Sequence, residues 1–390
     1  MKRLIAFSLA VLMVLGLCAC TEQEPTETTR PWPSGPLYEI ESYTASDEDI
    51  LAALDTVIGY VGDRELTLRL LCIAYWTEYT SYMQSYGSYV YTLGLDPYAP
   101  LDSQTIPGIG GTWQQFFLKS ALDTLHEFAA ITQEGLSKGE QLPEDMQQQL
   151  DQMIADLQPA AEEMGYATAE EMLRAQYGPG CTVDDMYQYL YLSAYSYFYY
   201  TSCLEKLVIP DEQVQNYFND NELDLSYSGI VKDGRLTYVC RNIFVAVEEE
   251  DWDKCETEAQ AILALWRSGE MTEEAFSALA LEHSQDGETA PLGGLRDGMT
   301  ELSNMGEDVV AWYMDPARQI GDYQLFKCED GYDLLYFCGT EEYWHYMCRL
   351  AVQNLTSEAV RQEMLDLHPL QVDYTKILLS DIELDSDTEE

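Results

Sequence analysis

Residues 236–247 read LTYVCRNIFVAV, and the fold class turns on them. β-branched and aromatic residues fill this run, so it is predicted to be a strand. Next comes DWDKCETEAQAILALWRS (251–268), with Ala259, Ile262, Leu263 and Trp266 on one helical face. TEEAFSALALEH (272–283) reads as a second helix, capped by Thr272, with Phe276, Leu279 and Ala280 inward. Gly293-Gly294 breaks the chain, a short helix is expected near 306–314, and short strands near 323–328 and 332–338. A strand, then helices, then a strand pair gives an α+β unit around a small antiparallel sheet.

The preceding texture is different. Residues 45–225 read as helices, beginning with an apolar run, Val57–Val61, that leads through Gly62-Asp63 into a helix near Thr67. A Pro/Gly-rich connection spans 94–111. Helical patterns follow at 113–134, 144–164, 168–176, 183–207 and 211–219. Pro159 should kink or break the second of these. Thr168 with Glu171 fits a capping box. Tyr75, Tyr79, Tyr82, Tyr86 and Tyr89 step by four and three, which puts five phenols on one stripe. A second group runs from Tyr187 to Tyr200. Such stripes serve either as interhelix packing or as a groove gripping apolar segments, and spacing does not separate the two.

The 390 residues carry 20 Lys+Arg against 69 Asp+Glu, a formal net charge of −49. That balance excludes nucleic acid, which needs a basic face, and disfavours a bare anionic bilayer. With 46% hydrophobic residues the chain is too apolar to be disordered. Lys2 and Arg3 precede an apolar run, 4–17, ending in Leu17-Cys18-Ala19-Cys20. This resembles a bacterial lipobox: residues 1–19 would be a lipoprotein signal peptide and Cys20 the acylated N-terminus, holding the protein on the outer side of a membrane. Residues 20–44 then form a polar, Pro-rich tether, and 385–390 an acidic tail.

Within 238–337 the sequence resembles a parvulin-type peptidyl-prolyl isomerase domain. The matching pieces are CRNIF (240–244), EAFSALA (274–280), HSQD (283–286), Gly293-Gly294-Leu295, Gly298-Met299 and GYDLL (331–335). The helical part, with its GDRELT entry (62–67) and PDEQV exit (210–214), is similar to PrsA-like and SurA-like foldases. The resemblance implies a helical chaperone domain (45–225), an inserted parvulin (FKBP-like) domain (235–340), and a C-terminal helix and strand (341–384) returning to the helical part. It also implies that the clients are unfolded or proline-containing exported polypeptides. The acyl anchor, not a polar surface, would meet the bilayer.

Rotation about an X–Pro bond faces a barrier of roughly 18–20 kcal/mol set by amide resonance, and no bond is made or broken. A catalyst must bind the twisted amide better than the planar one. By the resemblance, Asp286 takes the Cys/Asp position near the carbonyl and Met299 the proline-pocket methionine, with Leu295 and Met305 as further pocket residues. Asn242 and Asp333 stand where the family has two histidines, and a direct bond between them is expected. Activity is therefore expected to be weak or absent, and the alternative is a non-catalytic holdase or surface scaffold. No cofactor is implied. The four histidines (126, 283, 345, 368) have no metal-ligand spacing. Cysteines 72, 181, 203, 240, 255, 328, 338 and 348 contain no C-x-x-C.

Overall fold

The computed structural model describes residue 37 and residues 40–248 and 250–380. The signal peptide, Cys20, the tether as far as Pro36 and the acidic tail lie outside the described residues. The chain packs as two compact units. One holds residues up to Leu207 together with those from Ser357 onward; the other is Val208–Thr356.

The first unit opens with strand β1 (Tyr43–Thr44), helix α1 (Asp47–Ala53) and a hairpin of β2 (Val57–Val61) and β3 (Arg64–Thr67). Residues 40–44, assigned to the tether from sequence, belong to the fold instead: Ile40 is buried and Tyr43–Thr44 pair with another strand. Five helices follow: α2 (Leu68–Tyr86), α3 (Trp113–Ser137), α4 (Glu144–Glu163), α5 (Ala169–Tyr177) and α6 (Val183–Glu205). Threonines set several helix starts. Thr112 with Gln115 and Thr182 with Asp185 form capping boxes. Thr168 accepts from the Glu171 N–H at 3.1 Å, but the Glu171 carboxylate reaches back to Ala167, one residue outside the box. Helix α4 runs through Pro159 rather than ending there. Leu150, Leu157 and Ala161 bury on both sides of the proline, which itself is exposed.

The tyrosine stripe is largely interhelix packing. Tyr75 and Tyr82 are buried, Tyr79 and Tyr86 half-buried on the same core, and Tyr89 exposed beyond the helix end. Edge-to-face contacts tie Tyr79 to Phe117 at 5.3 Å and Tyr82 to Trp113 at 5.4 Å. On α6, Tyr189, Tyr195 and Tyr199 are likewise buried.

The second unit begins with α7 (Asp211–Tyr227). The sequence reading placed this helix in the helical domain, whereas its Val214 and Phe218 pack with Trp344 and Cys348. Then come β4 (Leu236–Ala246), α8 (Trp252–Arg267), α9 (Glu273–His283), β5 (Leu295–Met299), α10 (Glu307–Tyr313), β6 (Tyr323–Lys327) and β7 (Gly331–Glu342). The sheet order is β5-β4-β7-β6, antiparallel throughout. Alternation sends Ile243, Leu334 and Tyr336 to one face, against Leu263, Trp266 and Phe276 of α8 and α9. Cys240, Leu335 and Phe337 go to the other, against Val309, Trp312 and Tyr313 of α10.

Helix α11 (Tyr343–Leu367) begins in the second unit and ends in the first. Past it, β8 (Leu370–Val372) joins β2 and β9 (Leu378–Leu379) pairs in parallel with β1. Two short strands around a turn thus stand, among the described residues, where the resemblance implied one C-terminal strand. In sequence, the second unit is an insertion into the first. All eight described cysteines are free.

Candidate functional site

The face of the sheet that bears Leu335 and Cys240 also carries Asn242 and Asp333. Asn242 pairs in register with Leu335, and Phe244 with Asp333. Residues facing each other across an antiparallel ladder share a face, so Asn242 and Asp333 are diagonal neighbours rather than opposite ones. The Asn242 side chain acts on the Asp333 carboxylate as a hydrogen-bond donor, and it also has a second set of partners. The Asn242 amide donates to Asp286 Oδ2 at 3.2 Å, and its carbonyl oxygen lies 2.8 Å from the Thr289 hydroxyl. That hydroxyl is also 2.8 Å from Asp286 Oδ2, and its single proton serves one oxygen at a time.

The loop after α9 is held by the strand. Gln285 N–H donates to the Phe244 carbonyl at 2.8 Å, and the Ser284 hydroxyl accepts from Phe244 N–H at 3.1 Å. This pins Asp286 beside Asn242. On the other side, Asn242 N–H donates to the Gly294 carbonyl at 2.8 Å. Gly294 has φ +76°, and a Cβ there would lie 2.2 Å from the Asn242 carbonyl oxygen, so only glycine fits. The close approach brings Arg296, on β5, to the polar cluster.

Arg296, like Thr289, is a residue that sequence reasoning missed. Its Nη2 forms an ion pair with Asp286 Oδ2. Burial raises the Asp286 carboxyl, but bonds from Thr289 and Asn242 and the Arg296 charge outweigh it, and its pKa lies below the ordinary value. Asp333 behaves oppositely. It is 5% exposed, and burial pushes it up to about 6 against the opposing pull of Arg296 and Asn242, with Asp286 adding repulsion. Its Oδ1 and the Nε of Arg296 are both buried, and neither is paired with any protein group. A signal for Arg296 was present in the sequence: it is the sole Lys or Arg between 268 and 317.

The structure thus brings Asn242, Asp286 and Asp333 together, with Thr289 and Arg296 added. Met299 is 5% exposed and sits in the adjoining apolar cluster with Trp312, Tyr313 and Phe326; Met305 packs against the same cluster. Leu295 is half-buried, opposite Arg241 on β4. A separate cleft of about 590 Å³, lined by Leu236, Tyr238, Met314, Ile320 and Phe337 among others, contains none of the polar residues.

No family model matches the chain, and no curated protein does. Among solved structures the chain is similar to PrsA and to SurA-like chaperones. PrsA from Bacillus subtilis shares 16% identity at a TM-score of 0.34, over 67% of this chain and 89% of that one. One of the structurally related SurA-like chaperones PEB4 and Cj1289 of Campylobacter jejuni shares 15% at 0.21, over 63% and 95%. The PrsA peptidylprolyl isomerase of Bacillus anthracis shares 14% at 0.22, over 66% and 100%. At such scores the superposition is loose, and the reading of the site rests on its own geometry.

Proposed function

We propose that this chain is an extracytoplasmic folding factor that binds unfolded exported polypeptides, held to a membrane through Cys20. In this reading its inserted α+β unit is a parvulin-type module whose isomerase site is closed. The observation that carries the closed reading is the Arg296–Asp286 ion pair. The carboxylate that family resemblance puts near the twisted carbonyl is occupied by a guanidinium, an amide and a hydroxyl. Both histidine positions hold other residues, and the methionine of the proline pocket is packed into the core.

A second reading, a slow isomerase, draws on the convergence of Asn242, Asp286 and Asp333 on the sheet face that also carries the Met299 cluster. Two assays separate them. A protease-coupled prolyl peptide assay should find wild type near background, while the same protein suppresses aggregation of an unfolded client. Under the slow-isomerase reading, Asn242→His with Asp333→His removes a negative charge from the site and should raise isomerisation above wild type, whereas under the closed reading the Arg296–Asp286 ion pair persists and the double variant stays at background. Clear wild-type turnover that Asp286→Ala abolishes would replace the closed reading with the slow-isomerase one. Failure to hold any unfolded client would sink the folding-factor reading itself.

A further inference from the structure

Two cysteines of the first unit lie far apart in sequence and close together in the fold. Cys72 sits in the second turn of α2, and Cys181 directly precedes Thr182, the cap of α6. Arg69, Cys72 and Trp76 step by three and four, so they share one stripe of α2. The turn between α5 and α6 runs along that stripe. Arg69 Nη1 donates to the Gly180 carbonyl at 3.2 Å, and the same group pairs with Asp185 at 3.4 Å. At the other end, a Cβ on Gly178 would lie 3.4 Å from Trp76 Nε1. Cys72 stands between these two anchors, and Cys181 follows the glycine that Arg69 holds. Both are 6% exposed within one apolar cluster, and the Cys72 sulfur is near enough to disfavour a thiolate at Cys181. Proximity alone does not single out a pair. Cys240 and Cys338 also act on each other, but one packs with α10 and the other with α8 and α9, so the sheet separates their side chains.

We propose that Cys72 and Cys181, free thiols in this structure, become joined by a disulfide in the exported protein, a covalent staple between α2 and the cap of α6. The oxidant is a disulfide, small or carried by a protein. One cysteine loses its proton to water, and its thiolate attacks the oxidant's sulfur–sulfur bond. A mixed disulfide forms and one oxidant thiolate leaves. The thiolate of the second cysteine then attacks the mixed disulfide at the first cysteine's sulfur, closing the staple and releasing the second oxidant thiolate. Two electrons and two protons pass from the cysteines to the oxidant. Burial sets the timing. It pushes the Cys72 thiol up to about 12 and raises Cys181 as well. Thiols held protonated in a core are inert, so the exchange belongs to the folding chain, before the turn closes over α2, and the finished bond is sealed from reductants. The staple closes a long loop that holds α3, α4 and α5, the case in which a cross-link most restricts the unfolded chain. The proposal rests on the reading of this chain as exported, because a reducing cytosol keeps such thiols free.

The test maps thiols on the whole chain in two samples. One is recovered from cells whose thiols were trapped with a maleimide at harvest. The other is unfolded with reductant, refolded with oxidised and reduced glutathione, and trapped in the same way. In both, mass spectrometry without reduction should find Cys72 and Cys181 unlabelled and their fragments joined to each other, separating on treatment with dithiothreitol. Reduction should lower the melting temperature of oxidised wild type and leave that of Cys72→Ala with Cys181→Ala unchanged. Label on both Cys72 and Cys181 after refolding with glutathione, or a bond from either to another cysteine, would overturn the pair wherever the chain resides. So would label on both in a chain found outside the cytoplasm. These readouts are made on wild type, so they decide the pair even where the double variant does not fold. A chain that stays inside the cell with both thiols labelled, yet closes the bond on refolding, would remove the export reading and support the pair.

Discussion

With a folded pKa near 6 against an ordinary 3.8, the Asp333 side chain holds its proton more tightly in the folded protein than in the unfolded chain. Between those values the native state binds more protons than the unfolded one, so stability falls as pH rises through the window. The penalty is absent below about pH 4 and fully present above about pH 6 to 7. At about 1.4 kcal/mol per pKa unit, it amounts to about 2–3 kcal/mol. Asp286 has the opposite sign, its contribution being lost only as pH drops through its lowered pKa, below this window. General repulsion in a chain of net charge −49 also grows with pH, so the useful quantity is a difference. Denaturant unfolding of wild type and Asp333→Asn should diverge from pH 4 to 7, wild type losing more. Parallel profiles would show that Asp333 ionises in the fold as it does in water. Sequence alone could bring Asp333 to this face through strand periodicity. It could not reveal the burial, which comes from contacts between segments far apart in sequence.

At the level of elements, the Arg296–Asp286 contact depends on one backbone approach. Gly294 in its left-handed conformation lets β5 lie against β4, so that Arg296 reaches Asp286. Gly294→Ala adds a Cβ that would meet the Asn242 carbonyl oxygen, and also strains φ. The expected loss is about 2–3 kcal/mol of unfolding free energy, from clash and backbone strain together. Gly287→Ala, where a Cβ would meet nothing and φ is unstrained, should be near neutral. Chemical denaturation of the two variants checks this, and equal stability would deny the close approach. Such contacts explain what the sequence conceals. Strand β4 and helices α8 and α9 were legible because one apolar period runs through each. Strand β5, reading LRDGM, has almost no apolar alternation and forms because β4 offers it a partner. The β2–β3 hairpin was hidden by the polar stretch Arg64–Glu65, and α4 survives Pro159 through burial on both sides of the ring. In each case tertiary contacts overrode a local signal.

For the molecule as a whole, charge decides how it can meet a membrane. A chain with 69 acidic and 20 basic residues is repelled by an anionic lipid surface, so no electrostatic adhesion is available to it. No helix among the described residues is long and apolar enough to cross a bilayer. Under the proposed lipid anchor, retention would rest on acyl chains on Cys20, each buried methylene contributing about 0.8 kcal/mol, with two or more chains needed for stable anchoring. The two sources of binding respond differently to salt. Hydrophobic insertion persists through high-salt washing, whereas an electrostatic contact weakens as the screening length shrinks to about 3 Å at 1 M. Wild type should stay with the membrane fraction in both low and high salt, and Cys20→Ser should appear in the soluble fraction in both. Loss of wild type at high salt would point to a charged protein partner as the anchor. A Cys20→Ser protein that still sediments with membranes after high-salt washing would overturn lipidation at this cysteine, and a different apolar segment would have to supply the attachment.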